Sequence, residues 1–279
     1  MASTTSLRAL LAAPTDGRSA TVLADVDPAS TPEASEKKAE IAMAKDATRL
    51  LDLSDRLRAE GRRSVLLVLQ GMDASGKDGS IKHVIGSLNP VGVSITSFKA
   101  PSDEEKRHHF LWRIRKALPR PGTVGVFNRS HYEDVGIVKV HGWVDAPTIE
   151  RRYGEINAFE ANAAAAGITL VKCFLHISFD EQRRRLVDRL DNPAKIWKFN
   201  LGDLDERDRW IAYQEAYSAA IVRCSPLPAP WHVVPADNKW YRNWALARLL
   251  IEILEDLDPQ YPKADFDVVA ARRRLTSHR

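Results

Sequence analysis

The sequence predicts an α/β fold of three layers, α/β/α, built on a five-stranded parallel sheet. Three observations predict it. Five short apolar runs recur along the 279 residues at helix-sized intervals, and strand alternating with helix gives a parallel sheet covered on both faces. The first run, SVLLVLQ at 64–70, is apolar almost throughout rather than alternating, as expected of a strand buried on both sides. The composition, 44% hydrophobic and 28% charged, supplies one sizeable core and an ordinary charged surface.

Taken in order, residues 1 to about 30 are rich in Ala, Ser, Thr, Pro and Asp and carry no sustained periodicity. They read as a flexible N-terminal arm, poorly ordered or draped on the surface. The core domain is expected over 31–262. Its first helix spans 32–62, with Ile41, Ala44, Leu51, Leu53 and Leu57 among charges and Gly61 as its stop. Strand 64–70 leads through a glycine-rich turn into a helix at 77–88. Strands at 93–98, 123–128, 168–177 and 231–236 follow. Helices are expected at 103–118, 146–166, 180–190, 205–222 and 243–257. The segment 190–208 reads as a lid, and 263–279, with Arg272-Arg273-Arg274, as a solvated tail.

A net charge of +4 and a pI near 9.0 suit an anionic partner, although many soluble enzymes are mildly basic. Cys173 and Cys224 have no metal-like spacing and form no disulfide framework. No apolar run reaches the roughly 18 residues of a membrane span. The apolar stretch at 9–13 is too short for a targeting peptide. These features predict a cytoplasmic protein without a membrane partner.

In open parallel sheets ligands bind beyond the carboxyl ends of the strands, so the informative residues are those that follow each strand. After the first comes Gly71-Met72-Asp73-Ala74-Ser75-Gly76-Lys77-Asp78-Gly79. This fits G-x-x-x-x-G-K, a loop whose N–H groups cradle phosphate oxygens at a helix N-terminus. Gly71 and Gly76 permit the backbone conformations required, and Lys77 adds a point charge. The residue after the lysine is Asp78 rather than Ser or Thr. Asp73 lies inside the loop, where an acid reads either as a turn carboxylate or as a Mg²⁺ ligand. An accompanying cation favours the second reading.

The fuller pattern G-x-D-x-x-G-K-x-G-x-I-K, met by Gly71, Asp73, Gly76, Lys77, Gly79, Ile81 and Lys82, resembles the Walker A segment of the polyphosphate kinase 2 family. Phe127-Asn128-Arg129-Ser130-His131-Tyr132-Glu133-Asp134-Val135 is similar to its Walker B segment. Gln182-Arg183-Arg184-Arg185 and the stretch from Arg189 to Lys198 resemble its basic helix and lid, and 229–237 resembles its last core strand. The resemblance covers roughly residues 35–260 with the motifs in order. It implies a P-loop kinase fold with a helical lid, Mg²⁺ dependence, phosphoryl transfer between polyphosphate and adenine or guanine nucleotides, and a homo-oligomer, dimer or tetramer. The strings Asn128-Arg129-Ser130 and Tyr132-Glu133-Asp134 are similar to class III members, which phosphorylate both AMP and ADP. Asn128 stands where many members carry an acid, so Glu133 becomes the candidate second carboxylate for the metal.

On this reading Asp73, Lys77, Arg129 and Arg189 are the catalytic candidates. Gly71, Ala74, Ser75, Gly76, Asp78, Gly79, Asn128 and Glu133 line the nucleotide phosphates. Lys82, Arg183, Arg184, Arg185, Lys195 and Lys198 offer a cationic track for the polymer. Asp73 and Glu133 hold Mg²⁺. Phosphoryl transfer asks mainly for positioning and charge stabilisation: Arg189 would close over the transferring group and the lid would exclude water. The run 183–185 also reads as a solvated helix face paired with neighbouring acids. His108, His109, His131 and His141 read as structural, because no phosphohistidine is needed. Trp197 and Trp210 read as lid or core packing. Three other functions compete: an ATP-dependent nucleoside monophosphate kinase, a nucleic-acid-binding P-loop protein and a catalytically silent nucleotide sensor. No recognised nucleic-acid reader motif supports the second, and the intact Asp73, Lys77 and Arg129 set speaks against the third.

Overall fold

The computed structural model describes residues 6–13 and 22–277. Five strands form one parallel sheet: β1 (Ser64–Gln70), β2 (Val93–Ser97), β3 (Val124–Asn128), β4 (Ile168–His176) and β5 (Trp231–Pro235), in the order β2-β3-β1-β4-β5. The sheet and its α/β/α layering meet the sequence expectation. β1 lies at the centre, pairing Val65–Leu69 with Val124–Asn128 on one side and Ser64–Gln70 with Ile168–Phe174 on the other. The chain winds one way from β1 through β2 and β3, then the other way through β4 and β5. A crevice therefore opens at the carboxyl end of β1, the switch point of the sheet.

The period-two alternation of β1 divides the core. Val65, Leu67 and Leu69 pack on one face, while Leu66 and Val68 pack on the other. The first face is covered by α2 (Glu36–Glu60), α3 (Lys77–Val84) and α10 (Lys239–Leu257); Leu50, Leu53 and Leu57 meet Leu246, Leu250 and Leu254 there. The second is covered by α6 (Ala146–Ala165) and α9 (Trp210–Arg223), through Ile149, Ile156, Phe159, Tyr217 and Ile221. Gly61 ends α2 at φ +65°, as expected.

Several boundaries differ from the sequence reading. The helix expected at 103–118 is a 3-10 turn at Glu105–Arg107 and a short α4 (Trp112–Lys116). Ser102 and Glu105 exchange backbone-to-side-chain bonds of 2.7 and 3.2 Å, and His108 is extended. This local capping begins a turn, and the chain restarts to bury Leu111 and Ile114. The helix expected at 77–88 gives way to a 3-10 turn after Val84. The one at 205–222 is two helices, α8 (Gly202–Asp208) and α9, divided at Arg209. α10 starts four residues before the expected 243, because Tyr241 and Arg242 already continue its buried face.

The flexible arm expected over 1–30 needs correction for its described residues. α1 (Leu7–Leu11) lies on α10, with Leu7 and Leu11 buried, and Val22 and Leu23 are buried on the opposite face. Glu252 accepts from the N–H groups of Leu7 and Arg8, both at 3.0 Å, satisfying donors left free at a helix start. A few well-placed apolar residues anchor the segment without any long periodicity. At the other end, α11 (Val268–Thr276) is capped by Asp267 and buries none of its residues. Between α5 (Ile137–Val140) and α6, Asp145 caps the latter. α7 (Phe179–Asp191) follows β4, and the expected lid segment after it comprises a 3-10 turn at Ile196–Lys198 and α8. Among the described residues no helix is long and apolar enough to cross a membrane.

Candidate active site

The loop between β1 and α3 is bent into a nest. Gly71, Ala74 and Gly76 have φ of +150°, +63° and +103°. A Cβ on Gly76 would fall 1.8 Å from the Arg242 guanidinium, and one on Gly71 would fall 2.6 Å from the Leu175 carbonyl. Both positions therefore exclude a side chain on space as well as on conformation. Lys77 is buried, and its Nζ donates to the carbonyls of Gly71 at 2.8 Å and Met72 at 3.3 Å. Burial, then the nearby Arg129, pulls its ammonium down to about 8 against the pull of Asp73, Glu133 and Asp78.

The facing wall comes from the end of β3. Arg129 stands at φ +62°, its N–H donating to the Leu69 carbonyl, and its guanidinium donates to Asp73 Oδ1 at 2.9 Å. Burial opposes its charge, but Glu133 and Asp73 outweigh that and raise its pKa. Glu133 accepts from Gln70 Nε2 at 3.1 Å, and Asn128 Nδ2 donates to Asp78 Oδ1 at 2.8 Å. Ser130 caps the turn that carries Glu133. Behind that turn is a wholly buried cluster. Lys172 Nζ donates to Glu160 at 2.5 Å, to the Tyr132 hydroxyl at 2.8 Å and to the Cys224 carbonyl at 2.6 Å, while Tyr132 donates to Glu160 at 2.7 Å. Burial pushes the Glu160 carboxyl up, yet Lys172 and His131 hold it below the usual range.

Two chambers meet at the Asp73–Arg129 pair. The first, about 630 Å³, is lined by the loop at Asp73, Ala74, Gly76, Lys77, Asp78 and Gly79, and by Asn128 and Arg129 from β3. Arg185, Arg189, Lys195 and Lys198 close it from the α7 side. Lys99, Lys239, Asp188 and Asp203 also line it, and the sequence reading missed all four. Lys99 and Lys239 follow β2 and β5, so the rule that ligands bind beyond strand ends carried the signal for them. The second chamber, about 230 Å³, has Gly71, Asp73, Arg129, Glu133, Asp203, Glu206, Tyr213 and Tyr217 on its wall. Tyr213 donates to Glu206 at 2.5 Å, and His141 shares that carboxylate at 3.0 Å. Nothing in local sequence spacing marked Glu206 or the two tyrosines.

Not every expected residue reaches a chamber. Ser75 is wholly buried beneath the loop. Lys82 is exposed and lines neither space. Arg183 and Arg184 face away, bridging Asp180 at 3.1 Å and Glu181 at 2.6 Å beside a separate surface depression. Consecutive helical residues point about 100° apart, so a run of three arginines cannot share one wall. Arg185 is the inward member and is almost fully committed. It donates to the carbonyls of Ala74 at 2.9 Å, Ser75 at 3.0 Å and Asp237 at 3.0 Å, and to Glu181 at 2.6 Å. Gln182 donates to the Asp73 carbonyl at 3.0 Å, so α7 staples the loop from behind. Arg189 donates to the Lys198 carbonyl and to Asp203, both at 3.3 Å, which ties α7 to the 195–208 segment.

Among the described residues no group of three or more His, Cys, Asp or Glu is arranged to hold a metal ion. Asp73 and Glu133 nevertheless share the second chamber. Mg²⁺ at phosphotransfer sites typically takes one or two carboxylates and completes its shell with water and substrate phosphates, and this donor set fits that demand.

A family model described as polyphosphate kinase 2 matches residues 33–262. The AMP/ADP-polyphosphate phosphotransferase of Meiothermus ruber is 48% identical over 250 residues, covering 90% of this chain and 94% of the relative. The ADP-polyphosphate phosphotransferase of Rhodopseudomonas palustris is 42% identical over 238 residues, 81% of each chain. The crystal structure of polyphosphate kinase 2 from Arthrobacter aurescens TC1 superposes with a TM-score of 0.94 at 48% identity, covering 98% of this chain and 97% of that one.

Proposed function

The chain belongs to the polyphosphate kinase 2 family, and from that premise we propose that it transfers a phosphoryl group between inorganic polyphosphate and ADP or AMP, reversibly and with Mg²⁺. It is a polyphosphate:nucleotide phosphotransferase. The observation that carries the reading is the junction of two chambers of opposite charge character over one phosphate-binding loop. The polymer fits the first chamber, where Lys77, Lys99, Arg129, Arg189, Lys195, Lys198 and Lys239 meet a chain of about one negative charge per phosphate. The acceptor phosphate approaches where the chambers meet. An oxygen of that phosphate forms the new O–P bond as the bond to the polymer's penultimate phosphate breaks, and the shortened polymer leaves with the electron pair.

Catalysis here is positioning and charge stabilisation. Lys77 and the loop N–H groups hold the phosphates flanking the scissile bond. Arg129, oriented by Asp73, faces the charge that develops between them. Arg189 closes from α7 and the 190–208 segment excludes water. Asp73 and Glu133 would hold Mg²⁺, which neutralises non-bridging phosphate oxygens when bound. The same reading places the protein in the cytoplasm as a homo-oligomer, with residues 31–262 as the catalytic domain and no nucleic-acid partner. Light scattering on the purified protein tests the homo-oligomer, and filter binding of DNA at several salt concentrations tests the absence of a nucleic-acid partner.

The deciding experiment supplies pure protein with Mg²⁺, AMP and long-chain polyphosphate, without ATP. ADP and then ATP are expected, with Asp73→Ala losing both products. ADP alone would overturn the dual AMP/ADP specificity. A requirement for ATP, with polyphosphate inert, would favour the nucleoside monophosphate kinase reading.

A further inference from the structure

Arg242 lies on α10, outside both chambers, and is 3% exposed. Its Nη1 donates to the Ser75 carbonyl at 3.3 Å, and its Nε and Nη2 donate to Asn243 Oδ1 at 3.2 and 2.9 Å. It occupies the space a Cβ would need at Gly76 and presses within 3.2 Å of the same position at Gly79. Its partners are therefore a neutral amide and a backbone carbonyl. Among the described residues no carboxylate bridges it, and the charged group that acts on it is another cation, Arg185. Arg185 donates to that same Ser75 carbonyl at 3.0 Å.

A buried, uncompensated guanidinium is costly. Filling the groove behind Gly76 does not require charge, since an uncharged side chain of the same length would pack there. The charge becomes useful when an anion enters the nest on the far side of one peptide layer, because little water intervenes to screen it. Buried groups that break a packing rule of this kind concentrate at functional sites. We propose that Arg242 is a positioning residue for phosphoryl transfer: a cation sealed behind the phosphate-binding loop that holds the Ser75–Gly76 peptide toward the ligand and strengthens the loop's attraction for phosphate. It touches no substrate and acts through the loop backbone. Without an anion, Arg242 and Arg185 repel across one carbonyl, and phosphate binding relieves that repulsion.

The inference rests on the polyphosphate reading for its choice of probe. Calorimetric titration of the full chain with tripolyphosphate and Mg²⁺ tests it through Asn243→Asp, which places a carboxylate on Arg242 while keeping its shape and contacts. A purely structural role for Arg242 expects this variant to fold at least as well and to bind unchanged. The charge role expects an unchanged or raised Tm together with a roughly tenfold loss of tripolyphosphate affinity. An unchanged affinity in the folded variant overturns the inference. Should that variant fail to fold, Arg242→Lys and Arg242→Gln are compared in its place. The lysine form is expected to retain several-fold tighter binding than the glutamine form, and equal affinities overturn the inference. Wild-type protein that does not bind tripolyphosphate defeats the substrate reading itself, so the two failures are distinguishable.

Discussion

The two chambers share Asp73, Arg129 and Asp203 yet differ in charge. In the first, lysines and arginines outnumber Asp73, Asp78, Asp188 and Asp203 by two to one. In the second, Arg129 faces Asp73, Glu133, Asp203 and Glu206. One space suits a bare polyanion, and the other suits an anion that arrives with a cation. Burial pushes the Asp203 carboxyl up at their boundary, and Asp73 nearby adds to the rise. The difference shows how a single loop can serve two anionic substrates: it divides electrostatic labour between its two sides, with the Asp73–Arg129 pair as the partition.

Removing the lysine buried in the loop between the two chambers has the largest expected effect. Lys77→Ala is expected to lower turnover by about 10³, as loss of a transition-state donor does, measured as ATP formed from ADP and polyphosphate. Lys77 also gives a pH signature. Its pKa in the free protein is lowered to about 8, so its charge is lost as pH rises through that value, well before an unperturbed lysine's. Tripolyphosphate affinity is expected to fall above pH 8 with proton uptake on binding, and Lys77→Met is expected to abolish that dependence. For folding the sign is opposite. Between about 8 and the ordinary lysine value the unfolded chain binds more protons, so Lys77 makes stability rise with pH across that window.

Glu133→Gln alters the second chamber alone. The Mg²⁺ concentration for half-maximal rate is expected to rise roughly tenfold, with the polyphosphate KM unchanged. A polyphosphate KM that moved equally would erase the distinction between the chambers. The complementary pair, Lys99→Ala and Lys239→Ala, is expected to raise the polyphosphate KM about threefold each and to flatten its salt dependence, with the Mg²⁺ requirement unaltered. The smallest effect is expected from Arg183→Ala and Arg184→Ala. These exposed, outward ion pairs should change stability by less than about 1 kcal/mol and leave the polyphosphate KM unmoved. A large KM effect from either would extend the first chamber's cationic wall around α7.

Gly71, Gly76 and Lys77 were legible because their spacing after an apolar strand encodes one local turn, and Arg129 because it follows the end of β3. Arg185 was legible as a cation, but its task was not. Helical phase turns it into the loop's carbonyls and turns Arg183 and Arg184 out to solvent. Arg242 is 166 residues from Gly76 in sequence, and no periodicity announces that the space behind a glycine is filled by a distant arginine. The helix expected at 103–118 failed for a local reason, since the Ser102–Glu105 cap competes with the longer-range pattern.

The alternation of strands and helices, the parallel sheet they impose, the phosphate-binding loop and the supply of cations around it are all written in local stretches of chain. Each of these depends on neighbours within a few residues. Which cations line the chambers, which brace the loop, and how acids and bases divide between two spaces came only from the packing of distant segments. Those outcomes depend on the strand order β2-β3-β1-β4-β5 and on the rotation of each helix about its axis. Together these bring charges from β3, α7, α8 and α10 within a few ångströms of one loop, where weak local screening makes their arrangement matter.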